Sequence, residues 1–355
     1  MNYYRHIDRT KIQFDFLCDE DSTDIPYDEI ESLGGKVILI PPYQKVFKYQ
    51  KAVKKILKDG NYKIVHSHIN TLSVFPLRAA KKAGVPIRIA HSHATTNKIE
   101  IKRNAIKVVL RPLNKIFATN YACCSEHAGR WMFGNDFYDK DFVKIINNAI
   151  DTNKFIFNDE IRKKYRNSLG IKDNQTVIGC VGRMVKTKNH IFLLDVFDKV
   201  CDKEDAFLVL IGKGPLENEI RNIANKLKKS ERIFFLGQKE DVSSWYQAFD
   251  ILVLPSLYEG FGMTLLEAQA SNLPCLTSTN VPKEVKIIEK CEFLPLKDGS
   301  KVWADNVIQL IKNSKRKTNG NLISLMKFDI RNEALDLEKW YFKLYFNWMK
   351  KNEKN

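Results

Sequence analysis

Two glutamates separated by seven residues, Glu259 and Glu267, lie in the segment DILVLPSLYEGFGMTLLEAQASNLPCLT, which runs from Asp250 to Thr277. An apolar run, Ile251–Leu254, leads into a loop with Gly260 and Gly262, and a helix is expected to start near Met263–Thr264. Parallel α/β sheets bind ligands in the loops at the carboxyl ends of their strands. A glycine-flanked helix start adds unpaired backbone N–H groups and the positive end of the helix dipole, which suits an anion. From the loop and the first turns of the helix, both carboxylates can face one cleft: Glu259 toward a ligand's reactive end, Glu267 toward hydroxyls further along. Either glutamate alone would read as a solvated surface charge; the pattern as a whole reads as a site. A second set, Gly182–Lys188 (GRMVKTK), directly follows the apolar run Val177–Val181. Arg183 offers a planar fork and Lys188 a point charge, a pair suited to a diphosphate. Two HSH triplets, His66 with His68 and His91 with His93, each close an apolar run. Such clustering can suggest a metal site, but no cysteine or carboxylate lies at ligand spacing, so no metal is expected.

These residues need a frame, and short β-branched runs alternating with longer helical-period segments supply one. Strands are expected at Ile12–Cys18, Val37–Ile40, Ile64–His68, Ile87–His91, Tyr121–Cys124 and Val143–Ile146. After a polar passage, Asp151–Asn174, the alternation restarts with Val177–Val181, Phe207–Ile211, Ile233–Leu236, Ile251–Leu254 and Cys275–Thr277. Strand–helix alternation with short connections predicts parallel sheets covered on both faces. The expected fold is therefore α/β, with two doubly wound, Rossmann-like domains facing a cleft. The first spans 1–150 and the second 151–336, with the aromatic helix of 337–355 packing back on the first.

Composition agrees. The 355 residues suggest two domains at roughly 150 residues each. Hydrophobic residues at 44% and charged residues at 28% exclude a disordered or collagen-like chain. The 58 basic residues outnumber the 42 acidic ones, a net charge of +16. This favours anionic partners such as a phospholipid surface or a phosphorylated substrate; no nucleic-acid recognition motif is present, and none is expected as a partner. Seven cysteines without CxxC or repeated spacing read as reduced, buried thiols on strands. Gly212-x-Gly214 lacks the third glycine of a dinucleotide fingerprint, with Glu217 in its place.

GRMVKTK, IGKGP (Ile211–Pro215) and SLYEGFGMTLLEAQASNLP together resemble the donor domain of the family-4 retaining glycosyltransferases of GT-B fold. VHSHINTLSVFPLRAAKKAGVPIRIAHSHA and ACCSEHAGRWMFG resemble the branch that builds capsular and extracellular polysaccharides. The resemblance implies transfer of a sugar from a nucleotide diphosphate donor, UDP-linked, to a saccharide acceptor, lipid-linked, with no cofactor and no metal. It implies that Arg183 and Lys188 hold the diphosphate. Glu259 would contact the donor sugar, aided by the loop Gly260, Phe261, Gly262, Met263 and Thr264, and Glu267 would bind the ribose. His91 would reach the transferred sugar. Asp139–Asp141 (DKD) matches the DxD of metal-dependent transferases of another fold, but it is expected in a polar loop. His127 follows Ser125, a candidate N-cap.

The segment Lys98–Phe117 carries Lys98, Lys102, Arg103, Lys107, Arg111 and Lys115, with Ile106, Val109, Leu110, Leu113 and Phe117 on one helical face. A basic amphipathic helix of this kind can lie on an anionic membrane; the bland alternative is a surface helix kinked at Pro112. No stretch approaches the ~18 apolar residues of a membrane span, and the start has no secretory h-region. A cytoplasmic location is expected, peripheral to the inner face of the cell membrane. Relatives usually begin with an apolar strand and a glycine-rich loop, whereas MNYYRHID resembles the tail of the helix that follows them. The first sheet is thus expected to lack its first strand, through truncation or a misassigned start, with poor solubility and weak activity. The alternative function is a truncated or non-catalytic family member acting as partner of another transferase.

Overall fold

The computed structural model describes residues 1–93, 101–140, 142–314, 316 and 328–353, with 101–104 as backbone alone. The chain divides into two units, Met1–Ala149 with Ile330–Asn355, and Ile150–Asp329. At the edge of the second unit, Ile150 and Asp329 form an isolated parallel bridge. Thr152 Oγ1 donates to Asp329 at 2.5 Å beside it.

In the first unit, β1 (Asp15–Asp19) and β2 (Lys36–Ile40) pair only with each other among the described residues. A separate parallel sheet holds β3 (Ile64–Ser67), β4 (Ile87–Ser92), β5 (Asn120–Cys123) and β6 (Val143–Ile145) in sequential order. The first half therefore has two sheets, with β1 and β3 each an edge. Side chains join them: Tyr4 stacks on Phe14 at 5.4 Å between ring centroids and meets Phe16 edge-on at 5.1 Å. The strand expected from Ile12 starts only at Asp15. A turn in which Lys11 and Ile12 N–H donate to the Asp8 carbonyl holds the preceding residues off the ladder, and Ile12 and Phe14 join the aromatic cluster instead.

The C-terminal helix runs from Ile330 to Asn352, longer than the aromatic stretch from Leu337 suggested. Its polar first turns explain the shortfall. Glu333 is buried because it accepts from Asn147 N–H and Nδ2 at 3.2 Å each and from the Tyr3 hydroxyl at 3.2 Å. Leu337 and Tyr341 then bury against Tyr4, Ile89 and Ala122.

The second unit is one six-stranded parallel sheet, ordered β12-β11-β10-β7-β8-β9. Its strands are β7 (Thr176–Val181), β8 (Ala206–Ile211), β9 (Ile233–Gly237), β10 (Ile251–Leu254), β11 (Cys275–Ser278) and β12 (Cys291–Leu294). Near-continuous burial along β7, β8 and β10 marks a sheet covered on both faces. Gly179 in β7 is needed for packing: a Cβ there would lie 2.1 Å from the Phe249 ring. Below the sheet, Arg166 is fully buried and spans Asp250 (3.1 Å) and the Ala248 carbonyl (3.0 Å), while Arg162 pairs with the same carboxylate at 2.5 Å. None of the seven cysteines forms a disulfide; Cys18 and Cys201 are only half-buried, Cys124 follows the end of a strand, and Cys201 ends the helix His190–Cys201.

Candidate active site

Three loops at the carboxyl ends of β7, β8 and β10 assemble the donor-side residues within the second unit. Behind β7 and β8, backbone meets backbone: a Cβ on Gly212 would stand 2.1 Å from the Gly182 carbonyl oxygen, and one on Gly214 2.3 Å from that of Met184. Gly212 also has φ +135°, open to glycine alone at low cost. Met184 N–H donates to the Lys213 carbonyl at 3.0 Å, which locks the two loops together. Arg183 is left exposed at the end of β7, with no ion-pair partner among the described residues.

Lys188 ends a short 3-10 turn, Lys186–Lys188, and the chain then turns through Asn189 at φ 56°. Asparagine is among the few residues other than glycine that adopt this conformation readily. The turn is tied to the loop after β10 because Leu257 N–H donates to the Thr187 carbonyl at 2.7 Å. That tie brings Lys188 Nζ to 2.6 Å from Glu259 Oε1, with side chains 18% and 10% exposed. Ser256 Oγ donates to the same oxygen at 2.7 Å. The two site residues expected from separate motifs thus form one partly buried ion pair.

Beyond Glu259, Gly260 leads to Phe261, whose buried ring packs on Phe328 at 5.6 Å. Gly262, at φ 98°, caps the helix Met263–Ala270 without a side-chain hydrogen bond. Its first N–H groups have no intrahelical partner, and the Thr264 hydroxyl is buried with no hydrogen bond among the described residues. Glu267, one turn further, accepts a 2.7 Å hydrogen bond from the Tyr246 hydroxyl. Burial pushes its carboxyl above the ordinary range, and Tyr246 opposes the shift. Cations, free N–H donors and two oriented carboxylates together offer the chemistry that a polyhydroxylated diphosphate would need.

His91 lies in the first unit. β3 and β4 run parallel with Ser67 beside Ala90, so the next pair is His68 beside His91. Strand alternation then puts His66, His68, His91 and His93 on one face. Ser67 and Ser92 point to the other, toward the Ser73 hydroxyl (2.9 Å) and the Ala128 carbonyl (3.0 Å). His66 Nε2 and His91 Nδ1 share a 3.0 Å hydrogen bond, His68 Nδ1 and His93 Nε2 one of 2.9 Å. The Tyr341 hydroxyl meets His66 Nδ1 at 2.6 Å. His91 Nε2 is buried without a partner among the described residues. Burial lowers the His66 and His91 imidazoles well below the usual range, and the neighbouring imidazoles add to the effect.

Other expected residues fall elsewhere. Ser125 does cap the helix Glu126–Phe133, accepting from Ala128 N–H at 3.2 Å, and His127 is exposed in its first turn. Asp139 ends the helix Asn135–Asp139 and pairs with Arg130 at 2.7 Å, so it lies on a helix and not in the expected loop; Asp141 is outside the described residues. Lys98 also lies outside them, and the helix Ile101–Phe117 is described with side chains only from Ala105. Its inward residue is Asn114, fully buried, whose Nδ2 donates to the Thr71 carbonyl at 3.0 Å. Ile106, Val108, Val109 and Ile116 are exposed in consequence, so the expected apolar stripe is only half covered. Tyr246, Ser256 and Tyr341 were not anticipated, because their roles arise from contacts the linear sequence does not display.

Two parallel-sheet units, the second carrying a cationic strand end and a glycine-capped helix start, define the GT-B class of glycosyltransferase. The family model for Glycosyltransferase Family 4 matches residues 1–154, and that for Glycosyl transferases group 1 matches residues 161–323. EpsF of Bacillus subtilis is 35% identical over 317 residues, covering 86% of this chain and 82% of that one. An Escherichia coli UDP-Gal:alpha-D-GlcNAc-diphosphoundecaprenol alpha-1,3-galactosyltransferase is 29% identical, over 79% of this chain and 73% of its own. The capsular polysaccharide biosynthesis glycosyltransferase CapH of Staphylococcus aureus is 27% identical, over 88% and 86%. The crystal structure of Anabaena HepE in complex with UDP and glucose superposes with a TM-score of 0.75 over 92% of this chain and 91% of that one. At 18% identity it shows the shared fold. The chain belongs to the family-4 glycosyltransferases of GT-B fold, in the capsule and exopolysaccharide branch, and is a glycosyltransferase.

Proposed function

We propose that the protein transfers a sugar from a UDP-sugar, with retention at the anomeric carbon, to a lipid-linked saccharide in capsule or exopolysaccharide synthesis. The observation that carries this is the Lys188–Glu259 pair, 2.6 Å apart, at the glycine-capped start of Met263–Ala270. A diphosphate entering this site competes with Glu259 for Lys188. Arg183, Lys188 and the free N–H groups from Phe261 to Thr264 then stabilise the departing diphosphate. Glu259, released, binds hydroxyls of the donor sugar. Glu267, oriented by Tyr246, accepts from the ribose. His91 offers its unpartnered Nε2 to the transferred sugar. Neither glutamate acts as nucleophile, since each holds a different part of the donor and they do not flank one bond. No metal takes part in the transfer.

The UDP of HepE and the UDP-Gal and diphosphoundecaprenol of the Escherichia coli relative support the donor and acceptor classes. No helix among the described residues is long and apolar enough to cross a membrane. Exposed Ile106, Val108 and Val109 beside Lys107 and Arg111 support peripheral docking on the inner face of the cell membrane. A thermal-shift titration with UDP, GDP and ADP tests the donor site. A UDP-selective rise that Glu267→Ala abolishes is expected; no rise, or one that survives the substitution, overturns it. A second reading, a non-catalytic partner of another transferase, draws on the divided sheets of the first unit. Release of UDP from a UDP-sugar panel in a single turnover excludes it.

A further inference from the structure

We propose that His66, His68 and His91 bind one transition-metal ion of the zinc class, and that the bound ion withdraws His91 from sugar transfer. The second half rests on the role given to His91 above; the first does not. One ligating nitrogen from each of the three rings lies within 4.8 Å of the others. Zinc–imidazole bonds are about 2.0–2.1 Å long, so the nitrogens must converge by about an ångström. Rotation of imidazoles about χ2, a broad torsion, supplies that movement.

Three features of the cluster go beyond proximity. His91 Nε2 is buried and unsatisfied among the described residues, a costly state that a metal ion would relieve. His66 is already held at Nδ1 by the Tyr341 hydroxyl. Such outer partners orient metal-ligating histidines and leave the other nitrogen for the ion. His68 is exposed, which gives an ion a path in, and His93 Nε2 holds its Nδ1 at 2.9 Å, leaving Nε2 of His68 for the ion. An all-imidazole set selects zinc, nickel or copper over magnesium or calcium, which prefer oxygen. On binding, the hydrogen bond between His66 and His91 gives way to nitrogen–metal bonds formed by ring lone pairs. His91 is then unable to offer that lone pair to a sugar.

The test uses the full chain, stripped with chelator and titrated with Zn²⁺ against a chromophoric competitor. One ion per chain is expected, with affinity at least about tenfold weaker in His68→Ala and in His66→Gln. Melting curves of the metal-free variants establish that both are folded. Absence of saturable binding at one ion per chain, or unchanged affinity in both folded variants, overturns the site. Zn²⁺ is further expected to slow UDP release by the wild type and to spare His68→Ala. Tight binding with unchanged turnover overturns the inhibitory half. Failure of the donor reading shows separately, as loss of the UDP-induced melting shift in metal-free protein.

Discussion

The two units solve the same architectural problem differently. The second closes one six-stranded sheet around a single contiguous apolar cluster, and its site residues hang from loops fixed by backbone contacts. The first has two sheets and three smaller clusters, and its histidines sit on a sheet face covered by side chains of the C-terminal helix. Backbone ladders and glycine contacts leave little freedom, so the second unit is built to present charges at fixed spacing. Aromatic packing tolerates readjustment, so the first unit can vary in detail without losing its frame.

The largest expected effect is at the buried arginine under the second sheet. Arg166→Ala leaves Asp250 partly unpaired and should lower the stability of that unit by about 3–5 kcal/mol in urea unfolding. Arg162 keeps one contact to Asp250, so a cost at the lower end is expected. Next comes a matched pair of truncations. Leu276→Ala, in a fully buried strand, should cost about 2–5 kcal/mol. Leu17→Ala, in half-buried β1, should cost about 1 kcal/mol. Equal costs would break the contrast between the units. Glu259→Gln should reduce turnover on the order of 100-fold while leaving UDP affinity equal or tighter, because Lys188 is freed for phosphate. Parallel loss of affinity and turnover would mean the pair is only structural.

The smallest effect concerns Glu267. Burial raises its carboxyl, so the folded chain holds a proton that the unfolded chain releases. The stability this carboxyl contributes is complete below the unfolded-state value, about 4.3, and is lost as pH rises through the higher folded value. Above that window the raised carboxyl is a net cost to the fold. Glu267→Gln should therefore raise the melting temperature of ligand-free protein at pH 7.5, with the gain fading toward pH 4.5. A gain independent of pH would assign the effect to packing.

The frame was largely legible in the sequence, because buried parallel strands are short apolar runs and their ends fall at glycines and charges. Ile251–Leu254 lies where the apolar run places it, and Met263 begins the helix. β12 was missed because Glu292 interrupts its four-residue run. Arg183, Lys188, Glu259 and Glu267 could be named because each follows a strand end or helix start. Their pairing could not, since Lys188 reaches Glu259 only through the hydrogen bond from Leu257 N–H to Thr187. The histidine face depends on the register of β3 against β4, which alternation alone does not set. The outward turn of Ile106 and Val109 follows from one buried amide, Asn114, whose partner is the Thr71 carbonyl.

The C-terminal helix bears on how the protein is made. Tyr341 meets His66 across 275 positions of sequence, and the whole contiguous second unit lies between them. At roughly 5–20 residues per second, translation separates the two partners by tens of seconds. During that interval the second unit can leave the ribosome and fold, while Phe14, Phe16 and the histidine face wait uncovered. The nascent chain thus offers chaperones a long-lived aromatic surface at its older end, and emergence of the helix Ile330–Asn352 is the event that lets the first unit close.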